Sequence, residues 1–430
     1  MRSAGPRTRL PFAVAAFVVG LALPPEASVA LGGLRLSAYR VVLLVAFVPA
    51  LVRTFSRPAP RWLRAADLLA TAHGLWAAVA LALHPAAGGV ESAGIYLVES
   101  SGAYLLARAW VRDEATLQAA MRLAITLLLA LLPFALVESV TGSHVVRDLA
   151  RSVFGGPSAH AMERRFGLTR AFASFDHPIL FGMYAATAFA FSVEGLPSRL
   201  RGDPRPSMRT ALVGLAVVAS VSSGAFAAVA LVLALRAWER VTRRARGRWR
   251  VLLSAFAALY VVIGLASPRS PTKVFVSYLT FSPGTGYARL SILDLGLEEV
   301  RRNPWFGIGL GEWTRPDWMA SSSIDNFWLA TAMRYGVPSA VALGLAVLCV
   351  ALAGAASARR GGAAPLRRAF GFALAGLCVG GCTVHFWNAL LSLFCFLLGA
   401  GGAVAGRTAA PALRLNSTQR APWLRARVAA

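Results

Sequence analysis

The sequence predicts an all-α membrane protein, a bundle of about twelve transmembrane helices with a large outer loop that contains a short amphipathic helix. The first observation behind this fold class is composition: of 430 residues, 57% are apolar and only 15% are charged. The second is a mean hydropathy of +0.60. The third is that the net charge of +25 comes from Arg grouped in short bursts between apolar runs, which is typical of polytopic membrane proteins.

This composition excludes two other classes of protein. Disordered chains combine high charge with low hydrophobicity, whereas this chain has the reverse. A basic protein that binds nucleic acid carries its Arg and Lys on folded polar domains, whereas the Arg here separate apolar runs. We therefore expect membrane lipids as surroundings and no nucleic-acid partner.

Each long apolar run is a candidate transmembrane helix. A span needs about 20 mostly apolar residues, and shorter spans need tilt, local thinning of the bilayer or cover from neighbouring helices. The candidate spans are 10–23, 38–52, 65–84, 93–110, 116–138, 177–195, 210–222, 225–237, 251–266, 327–355, 369–384 and 388–405.

The segments between the spans are of two kinds, and their alternation predicts the orientation. The Arg-rich segments are 1–9, 53–64, 108–122, 199–209, 236–250, 359–368 and 407–427. They contain 30 of the 44 basic residues and four acidic ones, whereas the longest of the other kind, 267–325, has six of each. Because basic loops stay in the cytoplasm, both termini and all Arg-rich segments are predicted there, with twelve crossings.

The apolar stretch 210–237 is predicted to be two short helices rather than one. A single helix would place the Arg clusters at its two ends on opposite faces of the membrane, and Ser222-Ser223-Gly224 interrupts it in the middle. Such short spans must be covered by protein, because lipid cannot satisfy broken backbone hydrogen bonds. A second hairpin of this kind is expected at Thr383–Asn388.

The predicted organisation is one membrane domain, 1–406, with outer loops 139–176 and 267–325, followed by a basic cytoplasmic tail, 407–430. The N-terminus allows another interpretation, because the basic start, the apolar run and the small residues near position 30 resemble a cleavable signal peptide. Cleavage would leave an odd number of spans, so we expect a retained first helix.

The large outer loop contains the candidate chemistry. Residues 287–302 are predicted to form an amphipathic helix whose apolar face is Leu290, Leu293, Leu297 and Val300. A Gly-alternating turn with several Trp follows, and rings such as Trp313 serve either as membrane-interface anchors or as ligand platforms. Asp325 or Ser323 is expected to cap the next helix, from Phe327.

Six short motifs together resemble the O-antigen ligase and O-antigen polymerase superfamily. In chain order they are Glu138-x-x-Thr141-Gly142, Arg170-x-Phe172-x-Ser174-Phe175-x-His177-Pro178, Ser222-Ser223-Gly224, Asn303-Pro304-x-x-Gly307-x-Gly309, Asp325-Asn326-Phe327-x-Leu329 and Gly336. Their order and their placement among the spans carry the resemblance.

The resemblance implies a bacterial inner-membrane glycosyltransferase whose donor is a polyprenyl-diphosphate-linked oligosaccharide. Such proteins transfer the glycan at the periplasmic face, without a metal or soluble cofactor, to a lipid-linked glycan acceptor or to a lipid A core sugar. A chain-length regulator is a possible partner. Two positions depart from the family pattern: ligases typically have His at Asp325, and many members have Arg at Ser223. The first departure favours a polysaccharide polymerase over a ligase.

The transfer requires a base for the acceptor hydroxyl and cations for the departing diphosphate. Asp325 is the candidate base, and the alternative is that it only caps a helix. Arg170 and Arg289 are the candidate diphosphate ligands, because guanidinium groups match phosphate oxygens and remain charged. The alternative for both is a solvated loop Arg. We group these three residues as catalytic candidates.

Five further residues are candidates for substrate binding: Arg334, Asn326, His177, Arg315 and Trp313. His177 either orients the substrate or hydrogen-bonds a loop carbonyl. Arg334 lies within the predicted bilayer, where an unpaired charge is costly, so it either lines the diphosphate groove or pairs with Glu99 or Glu138. We expect no metal site. A flippase or transporter of lipid-linked glycans is the alternative from another functional class.

Overall fold

The computed structural model describes residues 9–31, 34–85, 89–156, 162, 164–194, 196, 206–245, 247–267, 270–271, 273–274, 283–319, 321–357 and 364–405. These residues form a helical bundle with two short antiparallel hairpins and no closed sheet, which confirms the predicted all-α class. The predicted basic tail 407–430 lies outside the described residues.

The N-terminal part of the bundle extends to the predicted outer loop 139–176. Its elements are α1 (Phe12–Leu21), β1 (Ser28–Leu31), β2 (Leu34–Ser37), α2 (Ala38–Phe55), α3 (Arg61–Ala82), α4 (Gly89–Leu97), a π-helical turn (Val98–Gly102), α5 (Ala103–Trp110), α6 (Glu114–Thr141), α7 (Val145–Phe154), β3 (Arg164–Arg165) and β4 (Leu168–Thr169).

The C-terminal part contains the remaining helices. They are α8 (Pro178–Val193), α9 (Pro206–Ala219), α10 (Ser223–Val241), α11 (Arg248–Ala266), α12 (Pro283–Arg302), α13 (Phe327–Tyr335), α14 (Val337–Ser357), α15 (Ala364–Gly380) and α16 (Asn388–Val404). Every predicted span overlaps one of these helices or an interrupted pair of them, such as α13 and α14.

Five of the described helices are long and apolar enough to cross a membrane: α2, α3, α6, α11 and α14. Four shorter apolar helices, α1, α8, α9 and α16, lie beside them. The chain is therefore an integral membrane protein. The number of twelve crossings stays a prediction, because several helices are shorter than a bilayer requires by themselves.

The centre of the bundle is formed by α8 and α16, which are buried along almost their whole length. Phe17 of α1 stacks on Phe396 of α16, with ring centroids 5.1 Å apart. Apolar burial on all sides of a helix is expected where neighbours surround it completely. Packing against α8 and α16 therefore stabilises shorter helices that would not be stable if lipid alone surrounded them.

Three of the Arg-rich segments, 199–209, 236–250 and 359–368, meet at one end of the bundle through their described residues. Glu194, at the end of α8, accepts from Arg368 at 2.8 Å and lies 3.4 Å from Arg236. Arg209, near the start of α9, donates to the carbonyl of Leu196 at 2.5 Å. Since α9 begins and α10 ends near the same place, the predicted helix pair is confirmed, with its break after Ala219. We call this the Arg-rich end.

The opposite end is where non-helical turns meet, and we call it the turn-rich end. The turn after Gly380 receives α13, because the Phe327 N–H donates to the carbonyls of Gly381 and Val384 at 2.7 and 3.0 Å. Gly224 also packs there, where an added Cβ would lie 2.6 Å from Val384. The two predicted helix breaks therefore contact each other and cover each other's backbone.

The predicted amphipathic helix exists as α12, and its predicted apolar face is packed only in part, because Leu293 and Val300 contact the core around Ile292. The buried residues are Gly286, Arg289, Ile292, Gly296 and Glu299. Leu297, from the predicted apolar face, is 44% exposed. In a helix beside a membrane, a row of Leu can face lipid as readily as protein, so apolar spacing alone did not distinguish the packed residues from the exposed one.

Helix α12 packs closely against α13 at Gly296. A Cβ at this position would lie 2.7 Å from Leu329 Cδ2 and 2.8 Å from Met333 Sδ. A larger residue at this position would require the Leu329 and Met333 side chains to move, so glycine allows this approach of the two helices. Arg289 lies seven residues earlier, about two helical turns along α12, so the contact sets the position of its side chain near the start of α13.

Candidate active site

Arg289 is at the centre of the candidate site. Its side chain is 7% exposed, and Nη2 lies 3.4 Å from Ser223 Oγ at the start of α10. Burial lowers the pKa of Arg289, Asp325 opposes that shift, and Arg165 adds to it. The carboxylate of Asp325 and the guanidinium of Arg165 are thus both close enough to act on Arg289 electrostatically.

Arg170 is positioned by hydrogen bonds of the residues that follow it. The Ala171 N–H donates to the Ala219 carbonyl at 2.9 Å. The N–H groups of Phe172 and Ala173 donate to the Glu138 carboxylate at 3.2 and 2.9 Å. Glu138 therefore orders this loop, and the motifs around Glu138 and Arg170 are joined by direct hydrogen bonds. Arg170 itself is buried.

His177 caps α8 and faces the same cations. Its Nδ1 accepts from the Ile179 N–H at 3.1 Å, so the ring proton of the neutral form lies on Nε2. Burial lowers the pKa of His177 to about 4, with further contributions from Arg170 and Arg165. The expected bond to a loop carbonyl is therefore replaced by a helix cap. The Nε2–H of a neutral ring remains a possible donor to a substrate.

Arg165, Arg170 and Arg289 together form what we call the cationic cluster. Arg165 was not among the sequence candidates, although a dibasic pair, Arg164-Arg165, precedes a Phe-Gly turn in the outer loop. The structure brings it in through the β3–β4 hairpin, in which Arg165 pairs with Leu168, two residues before Arg170. Guanidinium groups gathered in this way suit an anion with several oxygens.

Asp325 does not cap the helix that follows, contrary to expectation. Asn326 does so, with Oδ1 accepting from the Leu329 N–H at 3.0 Å. Asp325 Oδ1 accepts from the Ser323 hydroxyl at 2.7 Å. Its Oδ2 has no hydrogen-bond partner among the described residues. The sequence alone does not identify the capping residue, because Asp, Ser and Asn are all good N-cap residues.

Arg334 lies near the turn after Gly380, and neither expected ion pair forms. Glu99 pairs with Arg40 at 2.8 Å, and Glu138 pairs with His144 at 2.7 Å. Arg334 instead faces His385, whose pKa is lowered to about 3 by burial and, secondly, by this Arg. The ion-pair alternative for Arg334 is therefore wrong.

Two other candidates lie apart from the cationic cluster, within the outer loop's own core. Trp313 is 4% exposed and donates from Nε1 to the Ser322 carbonyl at 3.0 Å. Arg315 donates from Nε to the Met319 carbonyl at 3.2 Å and pairs with Glu312. The structure thus gives both side chains partners within the loop, and a role in substrate binding stays a prediction.

The assembled groups match the chemistry of transfer from a diphosphate. Cationic guanidinium groups bind and stabilise phosphate oxygens, and an open carboxylate oxygen can accept a proton. Arg289, Arg170 and Asp325 come from three separate segments of the chain and lie at the turn-rich end, away from the Arg-rich segments. All three were sequence candidates, and their convergence is a structural finding.

Comparison with known proteins finds a family similarity over part of the chain. A family model described as O-antigen ligase matches residues 210–344. This range contains Ser223, Arg289 and Asp325, and the match confirms the resemblance to the O-antigen ligase and polymerase superfamily. It supports a membrane glycan polymerase-like or ligase-like role. No curated protein matches the chain.

Proposed function

We propose that the protein is a glycosyltransferase of the bacterial inner membrane that polymerises, or transfers en bloc, polyprenyl-diphosphate-linked glycan repeat units at the periplasmic face. The observation that carries the proposal is the gathering of Arg165, Arg170 and Arg289 around a turn-rich end that also holds Asp325. The Arg-rich end would face the cytoplasm, together with both termini. The site would then open toward the periplasm.

In the proposed reaction, Asp325 takes the proton of an acceptor hydroxyl through its open Oδ2. The acceptor oxygen attacks the anomeric carbon of the donor sugar, and a new glycosidic bond forms. The bond from that carbon to the phosphate oxygen breaks, and its electron pair leaves with the polyprenyl diphosphate. Arg289 and Arg170 stabilise the negative charge that develops on the leaving group. Attack opposite to the leaving group inverts the anomeric configuration.

The polymerase is favoured over a lipid A ligase by one residue. Ligases of this superfamily typically have His where this chain has Asp325, so the two kinds of protein would use different bases. Ligation remains the second candidate, because the matching family model is described as O-antigen ligase. Polymerisation of an exopolysaccharide or an O-antigen is compatible with the same site, and a chain-length regulator would act outside it.

A flippase for the same lipid-linked glycan is the candidate from another functional class. Transporters place their substrate sites near the middle of the bilayer, between moving halves. Here the catalytic candidates lie at one end of the bundle. The position of the cationic cluster therefore supports chemistry at one face over transport across the membrane.

Two experiments test the proposal. In a deletion strain, loss of a polymerase leaves single repeat units on the lipid at the periplasmic face, whereas loss of a flippase strands the precursor on the cytoplasmic side. Purified protein with defined lipid-linked repeat units, in the presence or absence of a lipid A core acceptor, separates polymerase from ligase. Precursor found only on the cytoplasmic side would overturn the proposal.

A further inference from the structure

A polar cavity lies beside the candidate site, at the same turn-rich end. Its volume is about 250 Å³, and it is bounded by the end of α1, the β1–β2 hairpin, the start of α2, Arg147 of α7 and the start of α16. Ser174, Phe175 and Asp176 complete its wall. None of these lining residues belongs to the cationic cluster.

Asp176 is held in place by a chain of hydrogen bonds. Asn388 Nδ2 donates to Asp176 Oδ2 at 2.9 Å, and Arg40 Nη2 donates to Asn388 Oδ1 at 2.9 Å. Arg40 is fixed in turn by Glu99, which accepts from its Nε at 2.8 Å. Among the described residues, Asp176 Oδ1 has no hydrogen-bond partner. The cavity therefore presents one preorganised carboxylate oxygen.

The open cationic group of the lining is the guanidinium of Arg35, on β2. Arg35 is exposed and has no hydrogen-bond or ion-pair partner among the described residues. In contrast, Arg147 is fully engaged: its guanidinium donates to Glu26 at 2.6 Å and to the Phe175 carbonyl at 3.0 Å. Arg35 and Asp176 are thus the donor and acceptor that the cavity offers to a ligand.

These groups discriminate among classes of ligand. Three Arg and two carboxylates line the cavity, but Arg147 pairs with Glu26 and Arg40 pairs with Glu99. Arg35 and Asp176 are the remaining charges and balance each other, so the cavity lacks the excess positive charge that a diphosphate needs. The polar lining also disfavours an isoprenoid tail. A sugar ring has hydroxyls that donate to a carboxylate and accept from a guanidinium, and its C–H faces suit Phe175. The volume lies just below the ~300–1,000 Å³ of pockets for drug-sized ligands, which suits a single ring.

We propose that this cavity is a subsite for one sugar ring of the glycan substrate, bound by Asp176 and Arg35. The cavity lies next to the cationic cluster, because Asp176 directly precedes His177. The charges of Arg170 and Arg165 are close enough to His177 to help lower its pKa. A glycan could thus occupy the cavity while its diphosphate, or that of its reaction partner, binds the cationic cluster. The identity of the glycan rests on the proposed function.

The test measures binding to purified protein and needs no turnover. The first probe is the repeat-unit oligosaccharide released by mild acid from its polyprenyl diphosphate precursor, and the second is inorganic diphosphate. Arg35→Ala and Asp176→Asn are each expected to weaken oligosaccharide binding at least tenfold and to leave diphosphate binding unchanged. Arg289→Ala is expected to do the reverse. Arg61→Ala, an exposed Arg at the start of α3, is the matched control.

The outcomes separate this proposal from the proposed function. Undetectable binding of the oligosaccharide to wild-type protein, or undiminished binding to both Arg35→Ala and Asp176→Asn, overturns the sugar subsite. Thermal unfolding of each variant in detergent identifies misfolding, to which Arg35→Ala is least prone because that side chain is exposed. Failure of the glycosyltransferase assay with intact sugar binding overturns the proposed function alone.

Discussion

The guanidinium of Arg289 meets the hydroxyl of Ser223 across 66 residues of sequence, with Nη2 3.4 Å from Oγ. The contact joins α12 of the outer loop to the start of α10. Since Arg289 is also within electrostatic reach of Asp325, this single side chain relates two of the six motifs. Its removal is therefore the most direct test of the site.

Arg289→Ala is expected to abolish long-chain polymer, and Arg289→Lys to reduce it strongly. Loss of one group that stabilises the transition state costs on the order of 10²–10³ in rate, and Lys keeps the charge but not the planar fork. The control is Arg301→Ala on the same helix, because the Arg301 side chain is 76% exposed. Gel profiles of extracted polysaccharide, with immunoblots of the membrane fraction, measure the effect. Wild-type chain lengths in Arg289→Ala would exclude it from the site.

Asp325→Asn is expected to lower the transfer rate by roughly 10²–10⁴, the range that a positioned general base contributes. The amide keeps the shape of the side chain but cannot take a proton. Asp294→Asn is the matched control, because Asp294 lies on α12 in an exposed pair with Lys273. Initial rates with purified protein measure the difference. Equal rates in both variants would remove Asp325 from the role of base.

Gly296→Val is expected to shorten the polymer without any change at the catalytic residues themselves. The added side chain would collide with Leu329 and Met333, at a cost of roughly 1–3 kcal/mol, and would push α12 away from α13. Gly344→Val is the control, because an added Cβ at Gly344 meets no atom within 4 Å. Thermal unfolding and polymer length are measured together. Normal polymer in Gly296→Val would show that this helix contact does not position Arg289.

Stability is expected to fall between pH 6.5 and about 4, in part through His177. The folded protein lowers the pKa of His177 from 6.5 to about 4, so the unfolded chain binds more protons within this window. The loss is complete near pH 4 and amounts to at most about 3 kcal/mol. His177→Asn keeps a cap acceptor but removes the titration, so its Tm should fall less as the pH is lowered. An unchanged slope in this variant would contradict the assignment.

The fold and the grouping of segments could be predicted from sequence because the bilayer imposes them. The lengths of the apolar runs and the Arg bursts between them determined the helices and the Arg-rich end. A break at Ser222-Ser223-Gly224 was predicted by the same charge argument, and the structure confirms a break slightly earlier, at residues 220–222.

Pairings between distant residues could not be predicted from sequence. Glu99 forms an ion pair with Arg40 and not with Arg334, although nothing in the sequence distinguishes these two partners. Arg165 joins the cationic cluster only because a two-residue hairpin turns it toward Arg170. The packed face of α12 was predicted only in part, because Leu293 and Val300 pack against the loop core whereas Leu297 is exposed. Each of these outcomes depends on which elements meet in space.

The contact between the two helix breaks, through Gly224 and Val384, has a consequence for how a substrate arrives. Broken backbone shielded by protein allows a polar head group to sit below the membrane surface while its long hydrocarbon chain stays in the surrounding leaflet. Access would then be lateral, from the lipid side, and not through a central pore. Bilayer thickness would determine whether the polar head group lies at the same depth as Arg289. Turnover should therefore vary with the acyl-chain length of the lipid vesicles that contain the protein.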